Sequence, residues 1–279
     1  MGASCGKLVH NVRLDGKTAI VTGSNTGIGK VTVKELYKIG ARVIMACRDT
    51  NKANITMEEI KKEAESCEKV GEIIIHHLDL TSLTSVRKCA QEILSTEEKL
   101  HLLINNAGIM MVPKGKTEDG FETQFGVNHL GHFLFTNLLL DRIINSAPAR
   151  IINLSSSAHE RGSMNWDDLN WERRRYSAFG AYAQSKLANY LFTVELAERL
   201  KGTGVTAYSV HPGYVKTDLG RYLDETYFSG TRFLAKMFFS AVYKTPEEGA
   251  LTTLHCALNE EAGQETGLYY RYIYFTLIY

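Results

Sequence analysis

The chain has 279 residues, 44% of them hydrophobic and 23% charged, and sets 32 Lys and Arg against 31 Asp and Glu for a net charge of +1. So even a balance offers no footprint for a phosphate backbone, which removes nucleic acid from the expected partners, and the apolar content with only 4 prolines removes disorder. The 5 cysteines are scattered without a CxxC pair, which points to free thiols in a reducing compartment and away from a disulfide or zinc framework.

The amino-terminal stretch from Met1 to Lys17 lacks the apolar core of a secretory signal, and no run of eighteen uncharged apolar residues follows anywhere, so no spanning helix is expected. Gly2 and Cys5 raise lipidation, but Gly6 stands where the myristoylation pattern wants Ser or Thr. Thr18–Thr22 then reads as a first strand, followed directly by the turn Thr22-Gly23-Ser24-Asn25-Thr26-Gly27-Ile28-Gly29. Glycines there allow close backbone approach to a pyrophosphate, and the next helix supplies free N–H groups and a favourable dipole. The spacing is G-x3-G-x-G, so a purely structural turn is the competing reading. Helical periodicity in Ile28, Val31, Leu36 and Ile39 closes at Gly40.

A second strand from Arg42 to Ala46 ends in Cys47-Arg48. An acidic residue at this place holds the ribose of NAD, whereas an arginine pairs with the 2′-phosphate of NADP, so Arg48 favours NADP(H). Asp49 is its rival, and a solvated arginine paired with Asp49 is the bland alternative. A third strand runs from Ile73 to Leu78 and leads to Asp79, either a partner for the adenine amino group or a cap for the helix starting near Ser82. A fourth, Leu102–Asn105, ends in Asn105-Asn106-Ala107-Gly108, where small and amide residues permit a close backbone approach. His129 and His132 share a helical face at i, i+3 without a third ligand at matching spacing, so no metal is expected.

The fifth strand, Arg150 to Leu154, delivers Ser155, Ser156 and Ser157 to its carboxyl end, where one hydroxyl could polarise a substrate oxygen. Arg173-Arg174-Arg175 reads as a solvated loop. Tyr182 and Lys186 lie four apart in a helical segment, so an ammonium neighbours a phenol and is expected to draw its pKa of about 10 toward the working range. A sixth strand, Val205 to Val210, exits through His211-Pro212-Gly213. The nearly continuous apolar strands alternating with helices predict one unit over 1–279, a doubly wound parallel α/β sheet of about seven strands.

The motifs TGSNTGIG, NNAG, Ser, YAQSK and HPG, in that order, resemble the short-chain dehydrogenase/reductase family over about residues 14–270. TGSNTGIGK, ACRD, FGVNHLGHFLFT, LSSSAH, YAQSKLAN and YSVHPG are similar to its retinol dehydrogenase-like subgroup. The resemblance implies a Rossmann-type oxidoreductase with Asn128, Ser156, Tyr182 and Lys186 as catalytic residues. Tyr182 would exchange the proton with the substrate oxygen, Ser156 would hydrogen-bond that oxygen, Lys186 would hold the nicotinamide ribose, and Asn128 would fix a relay water. It implies cofactor contacts at Gly23, Ser24, Asn25, Thr26, Gly27, Ile28, Gly29, Arg48, Asp79, Leu80, Asn106, Ala107, Gly108, Tyr182, Lys186, Pro212, Gly213, Val215 and Thr217.

The family builds its substrate lid over residues 217–244, where Tyr222, Tyr227, Phe228, Phe233, Leu234, Met237, Phe238, Phe239 and Tyr243 would suit a lipophilic aldehyde or ketone such as retinal. The competing reading is a core helix from Arg232 to Tyr243. The tail from Arg271 to Tyr279 departs from the family's polar extension and reads as an altered terminus, a continuation of the last strand or a membrane-contacting patch. The resulting expectation is an NADP(H)-dependent enzyme acting on lipophilic carbonyls, with an idle NADP(H)-binding sensor as the alternative. Its setting is expected to be cytoplasmic or peripheral to an internal membrane, and a homodimer is among the expected partners.

Overall fold

The computed structural model describes residues 12–238, 243–271 and 274–276, with the backbone alone described at 235–238 and 274–276. Residues 1–11, with Gly2 and Cys5, and residue Phe239 lie outside it, as do the side chains of Met237 and Phe238.

Six strands fall where the apolar runs predict them: β1 (Thr18–Thr22), β2 (Arg42–Cys47), β3 (Glu72–His77), β4 (Leu102–Asn105), β5 (Ala149–Leu154) and β6 (Val205–His211). With β7 (Leu268–Arg271) they make a parallel sheet of order β3-β2-β1-β4-β5-β6-β7. An eighth strand, β8 (Tyr274–Thr276), returns antiparallel against β7, pairing Tyr270 with Phe275. This part of the tail is therefore a sheet-edge hairpin.

The strands read as unbroken apolar runs because both faces are covered. Ala19, Val21, Val43 and Met45 point into one core, Ile20, Ile44 and Leu103 into the other, and none of them is exposed. Burying a side chain such as Ile20 contributes about 1.5–3 kcal/mol. On the first face lie α1 (Gly27–Lys38), α2 (Thr50–Glu63) and α8 (Pro246–Leu258), while α3 (Leu83–Thr96), α4 (Gly131–Ile144) and α5 (Ala178–Arg199) cover the second. Between β6 and α8 the chain forms two short helices, α6 (Leu223–Thr226) and α7 (Thr231–Phe238).

Helix starts are set by local chemistry. Asp49 caps α2 by accepting from Lys52 N at 2.9 Å, Ser82 caps α3 through Ser85 N, and Thr245 with Glu248 forms a capping box ahead of α8. α1 differs: Thr26 precedes it without a side-chain cap and its first turn holds no acidic residue. Its N–H groups face the carboxyl edge of the sheet, the end at which an anion is favoured.

Candidate active site

Because strand order reverses at β1 and β4, the loops after the strands open a crevice at the carboxyl edge. A cavity of about 940 Å³ occupies it, lined in turn by the β1–α1 turn, Arg48, Asp79, Asn106 to Val112, Ser156, Tyr182, Lys186 and Pro212 to Leu223. The six strand-end motifs singled out in the sequence thus meet in one place.

The glycine turn is shaped by close approach. Gly23 has φ +61°, and a Cβ there would lie 2.8 Å from Ala107 Cα, while one at Gly29 would lie 2.7 Å from Gly23 O. The turn is stapled to β4 by Asn106, whose Nδ2 donates to Thr22 O at 2.8 Å. Thr22 Oγ1 accepts from Asn106 N at 3.0 Å and Ala107 N at 2.9 Å, which uses its lone pairs, so its proton goes to His132 Nε2, 2.8 Å away. His132 therefore keeps its proton on Nδ1, 3.1 Å from Asn128 O. Burial pushes the His132 pKa down to about 4, in keeping with a neutral ring. His129 hydrogen-bonds Asn189 Oδ1 at 3.1 Å and packs against Phe125, so the histidine pair is structural.

Sequence-predicted positions behave unequally. Asn25, Thr26, Gly27, Ile28, Leu80, Ala107, Gly108, Pro212, Gly213, Val215 and Thr217 line the cavity, but Ser24 does not. Its hydroxyl turns inward to donate to Val21 O at 3.0 Å and lies 3.4 Å from Cys47 Sγ, leaving its backbone for any contact. Asp79 does not cap α3; its Oδ1 accepts from Thr81 N and Thr81 Oγ1 at 2.9 and 2.8 Å. Asp49, the rival of Arg48, caps α2 through Oδ1, and both residues are exposed on the cavity wall, where Arg48 is hydrogen-bonded to the Tyr222 hydroxyl.

At the other end of the cavity, Tyr182 and Lys186 project from one face of α5. Ser156 is the serine whose side chain hydrogen-bonds the Tyr182 hydroxyl. Ser155 is spent on Lys186 O at 2.7 Å, and Ser157 opens a 3₁₀ turn. Lys186 Nζ donates to Leu154 O at 2.9 Å, an oxygen that also accepts from Asn189 Nδ2 at 3.1 Å. Burial pushes the Tyr182 phenol up to about 12, with the Ser156 bond opposing it, and holds Lys186 down to about 8. This runs against the expectation of a phenol lowered by its ammonium: both groups are buried, and desolvation is the largest influence on each. The phenol holds its proton at neutral pH.

Asn128 sits in a π-helical turn, Gly126–Leu130, that leads into α4. Its side chain does not line the cavity. Nδ2 donates to Ile109 O and Ser185 Oγ, both at 2.9 Å, and Oδ1 accepts from Ile109 N at 2.9 Å, so this amide fastens the strand-4 loop to α5.

The residues that sequence reasoning missed are Met110, Met111, Val112, Pro113 and Phe179, which form the apolar wall facing Ser156 and Tyr182. Their signal was the apolar run directly after NNAG. Of the lid residues named from sequence, Tyr222 and Tyr243 line the cavity, whereas Tyr227, Phe228, Phe233 and Leu234 are exposed. Of the helix expected from Arg232 to Tyr243, Thr231–Phe238 is described as helical, and 239–242 lie outside the described residues. Arg174 is no solvated loop residue: its guanidinium stacks on Trp171 at 3.6 Å and donates to Gln184 Oε1 at 2.8 Å.

The short chain dehydrogenase family matches residues 17–227, which embrace every strand-end motif from the glycine turn to the start of the lid. The chain belongs to that family. It is an oxidoreductase of the short-chain type, acting on CH–OH groups. It is 52% identical to mouse retinol dehydrogenase 11 over 257 residues, covering 92% of this chain and 78% of that protein, and 50% identical to human retinol dehydrogenase 12, covering 93% and 79%. Among solved structures, the Pseudomonas aeruginosa RhlG/NADP active-site complex is similar at a TM-score of 0.70 and 25% identity, covering 92% of this chain and 94% of that one. Family members use NAD(P)(H), and the residues present fit such a group. A Cβ at Gly23, Gly27 or Gly29 would disrupt the close-packed turn, α1 offers an uncapped N-terminus, and a guanidinium stands after β2. Among the described residues no helix is long and apolar enough to cross a membrane.

Proposed function

We propose that the chain is an NADP(H)-dependent oxidoreductase interconverting a lipophilic aldehyde or ketone and its alcohol, with retinal and retinol as its first candidates. The observation that carries the reading is the Ser156–Tyr182 pair facing an apolar wall of Met110, Met111, Val112, Phe179, Leu219 and Leu223. Such a wall supplies affinity through apolar burial and leaves orientation to the two hydroxyls. Similarity to retinol dehydrogenases 11 and 12 supports the retinoid, and the exposed Arg48 guanidinium after β2 supports the 2′-phosphate.

A nicotinamide held in this cavity would supply or take the hydride at the substrate carbon. The chain's own groups do the rest. Ser156 hydrogen-bonds the substrate oxygen, and Tyr182, protonated at neutral pH, gives that oxygen a proton during reduction and recovers one during oxidation. Lys186 would hold the ribose and place positive charge beside the phenol. Gly23 to Gly29 and the start of α1 would cradle the pyrophosphate, and Thr217 would contact the carboxamide. Asn128 acts from behind, holding the Ile109 backbone and, through its carbonyl, Asn189.

The test is NADPH consumption by the purified chain against retinal and a series of straight-chain aldehydes and ketones. Turnover that rises with apolar length supports the reading. Activity confined to sugars or small hydroxy acids would overturn it.

A further inference from the structure

Met111 has φ +49°, a left-handed conformation uncommon for a residue with a long side chain, and such outliers persist only where surrounding contacts enforce them. Here two contacts do so from opposite sides. On the inner side, Met111 N donates to Gln124 Oε1 at 2.7 Å. Gln124 is wholly buried and is itself held by Tyr176 Oη at 3.0 Å and Ala178 O at 2.9 Å. On the outer side, Met111 O accepts from the hydroxyl of Thr226, the last residue of α6, at 2.6 Å. That hydroxyl also lies 2.9 Å from Tyr222 O in its own helix, and the bond to Met111 is the shorter.

These are the ends of a connected piece. The Tyr176 hydroxyl lies 3.1 Å from Val112 O and 3.1 Å from Glu122 Oε1, and Glu122 Oε2 accepts from Phe125 N at 2.7 Å at the entrance to the π turn. The strap from Gly108 to Val112 therefore rests on the helix carrying Asn128 on one side and touches the lid on the other. Leu219 lies beside Gly108, the Met110 methyl beside Gly220, and Thr226 on Met111. The same strap provides the methionine wall of the cavity.

We infer that the Thr226–Met111 hydrogen bond is a latch that holds the lid closed against the substrate wall, making Thr226 a positioning residue that selects for long apolar substrates. A long chain reaching the lid gains from closure, whereas a short aldehyde is held near Tyr182 and gains little. Thr226 does not line the cavity, so its influence runs through the Met111 backbone. The substrate part of this inference rests on the proposed function; the latch itself does not.

The experiment compares wild type, Thr226→Val and Thr226→Ser by two readouts. The first is hydrogen–deuterium exchange over residues 219–234 of the full chain with NADPH. The second is KM and kcat for a short and a long straight-chain aldehyde. Losing one hydrogen bond is expected to speed exchange in the valine variant by about fivefold and to raise KM for the long aldehyde alone by a similar factor, with kcat held. Serine restores both values. Tyr176→Phe, which loosens the strap from the inner side, shifts the long-aldehyde KM in the same direction. Unchanged exchange in Thr226→Val overturns the latch, and a KM rise equal for short and long aldehydes overturns the selectivity. If the wild type consumed no aldehyde, the proposed function would fail while the exchange readout still decided the latch.

Discussion

Lys186 Nζ lies 5.7 Å from the centre of the Tyr182 ring, one helical turn along the same face of α5, and is fastened to Leu154 O at the end of β5. The helix thus fixes the spacing between the two groups while the strand fixes where the ammonium points. Tyr182 is in turn tied to Ser156, so the two hydroxyls meet in the cavity that the apolar wall also lines. Tyr182→Phe keeps the packing and removes the proton. Turnover should fall by roughly 10²–10⁴ with NADPH affinity preserved. Near wild-type rates in single-turnover kinetics would take Tyr182 out of the chemistry.

Lys186 also makes a pH-dependent statement. Its ammonium is held down to about 8 against an ordinary 10.5. Between those values the unfolded chain binds more protons than the folded one, so stability rises with pH through that window and the buried charge is a cost below it. Lys186→Met should therefore gain on the wild type at pH 7 and lose much of that gain by pH 10, because Asn189 still satisfies Leu154 O. Wild-type reductive turnover should decline as pH climbs past about 8. Urea denaturation of both proteins at the two pH values is the measurement, and a difference independent of pH would refute the assignment.

Arg48→Asp places a carboxylate where the 2′-phosphate is proposed to sit. NADPH affinity should drop by 10-fold or more, about 1.4 kcal/mol per decade, while NADH affinity holds or improves. Calorimetric titration of both nucleotides decides it. Equal affinities in the wild type would remove Arg48 as the selector.

How far this site was legible in the sequence depends on how local each signal is. Strand ends, the glycine turn and the Tyr182–Lys186 pair are written over a few neighbouring residues, and the sheet brings them together as the period of the apolar runs implies. The methionine wall is different. Met110 to Val112 follow NNAG as an ordinary apolar run, and their facing the cavity depends on Gln124, Tyr176 and Thr226, which are distant in sequence. The aromatic count between Thr217 and Lys244 pointed to the lid, but not to which rings turn outward, because Tyr227 and Phe228 lie between two short helices, where no helical period fixes a face. The side chains of Asp79 and Ser24 were open for a related reason: a short polar side chain has a local partner within reach, and sequence does not say which it takes, Thr81 for Asp79 and Val21 O for Ser24.

Cavity length can be probed through that wall. Each buried methylene of substrate is worth about 0.8 kcal/mol, nearly fourfold in catalytic efficiency when the pocket encloses it. Efficiency should rise along a series of straight-chain aldehydes, and Met110→Ser should flatten the slope without changing NADPH affinity. A slope unaltered in the variant would move the substrate away from the strap.

Thr22 offers a test of the scaffold itself. Its hydroxyl serves Asn106 N, Ala107 N and His132 Nε2 at once. Thr22→Val keeps the shape but strands a buried N–H and a ring nitrogen, for an expected loss of roughly 2–4 kcal/mol. A denaturation midpoint equal to wild type would show that the hub is dispensable.

The base of the lid is cinched by two backbone hydrogen bonds, Lys216 N to Lys244 O at 2.9 Å and Lys244 N to Tyr214 O at 2.7 Å. The excursion between them is consequently a module knotted at its own neck, and its length is uncoupled from the register of β6 and α8. Doubling a flexible loop adds only about 0.6 kcal/mol of closure entropy, so residues can be inserted or trimmed there at little cost to the sheet. Transplanting this module between relatives, cut at Lys216 and Lys244, would reshape the substrate end and, because it carries Thr217 and Tyr222, would exchange their contacts beside Gly27 and Arg48 with it.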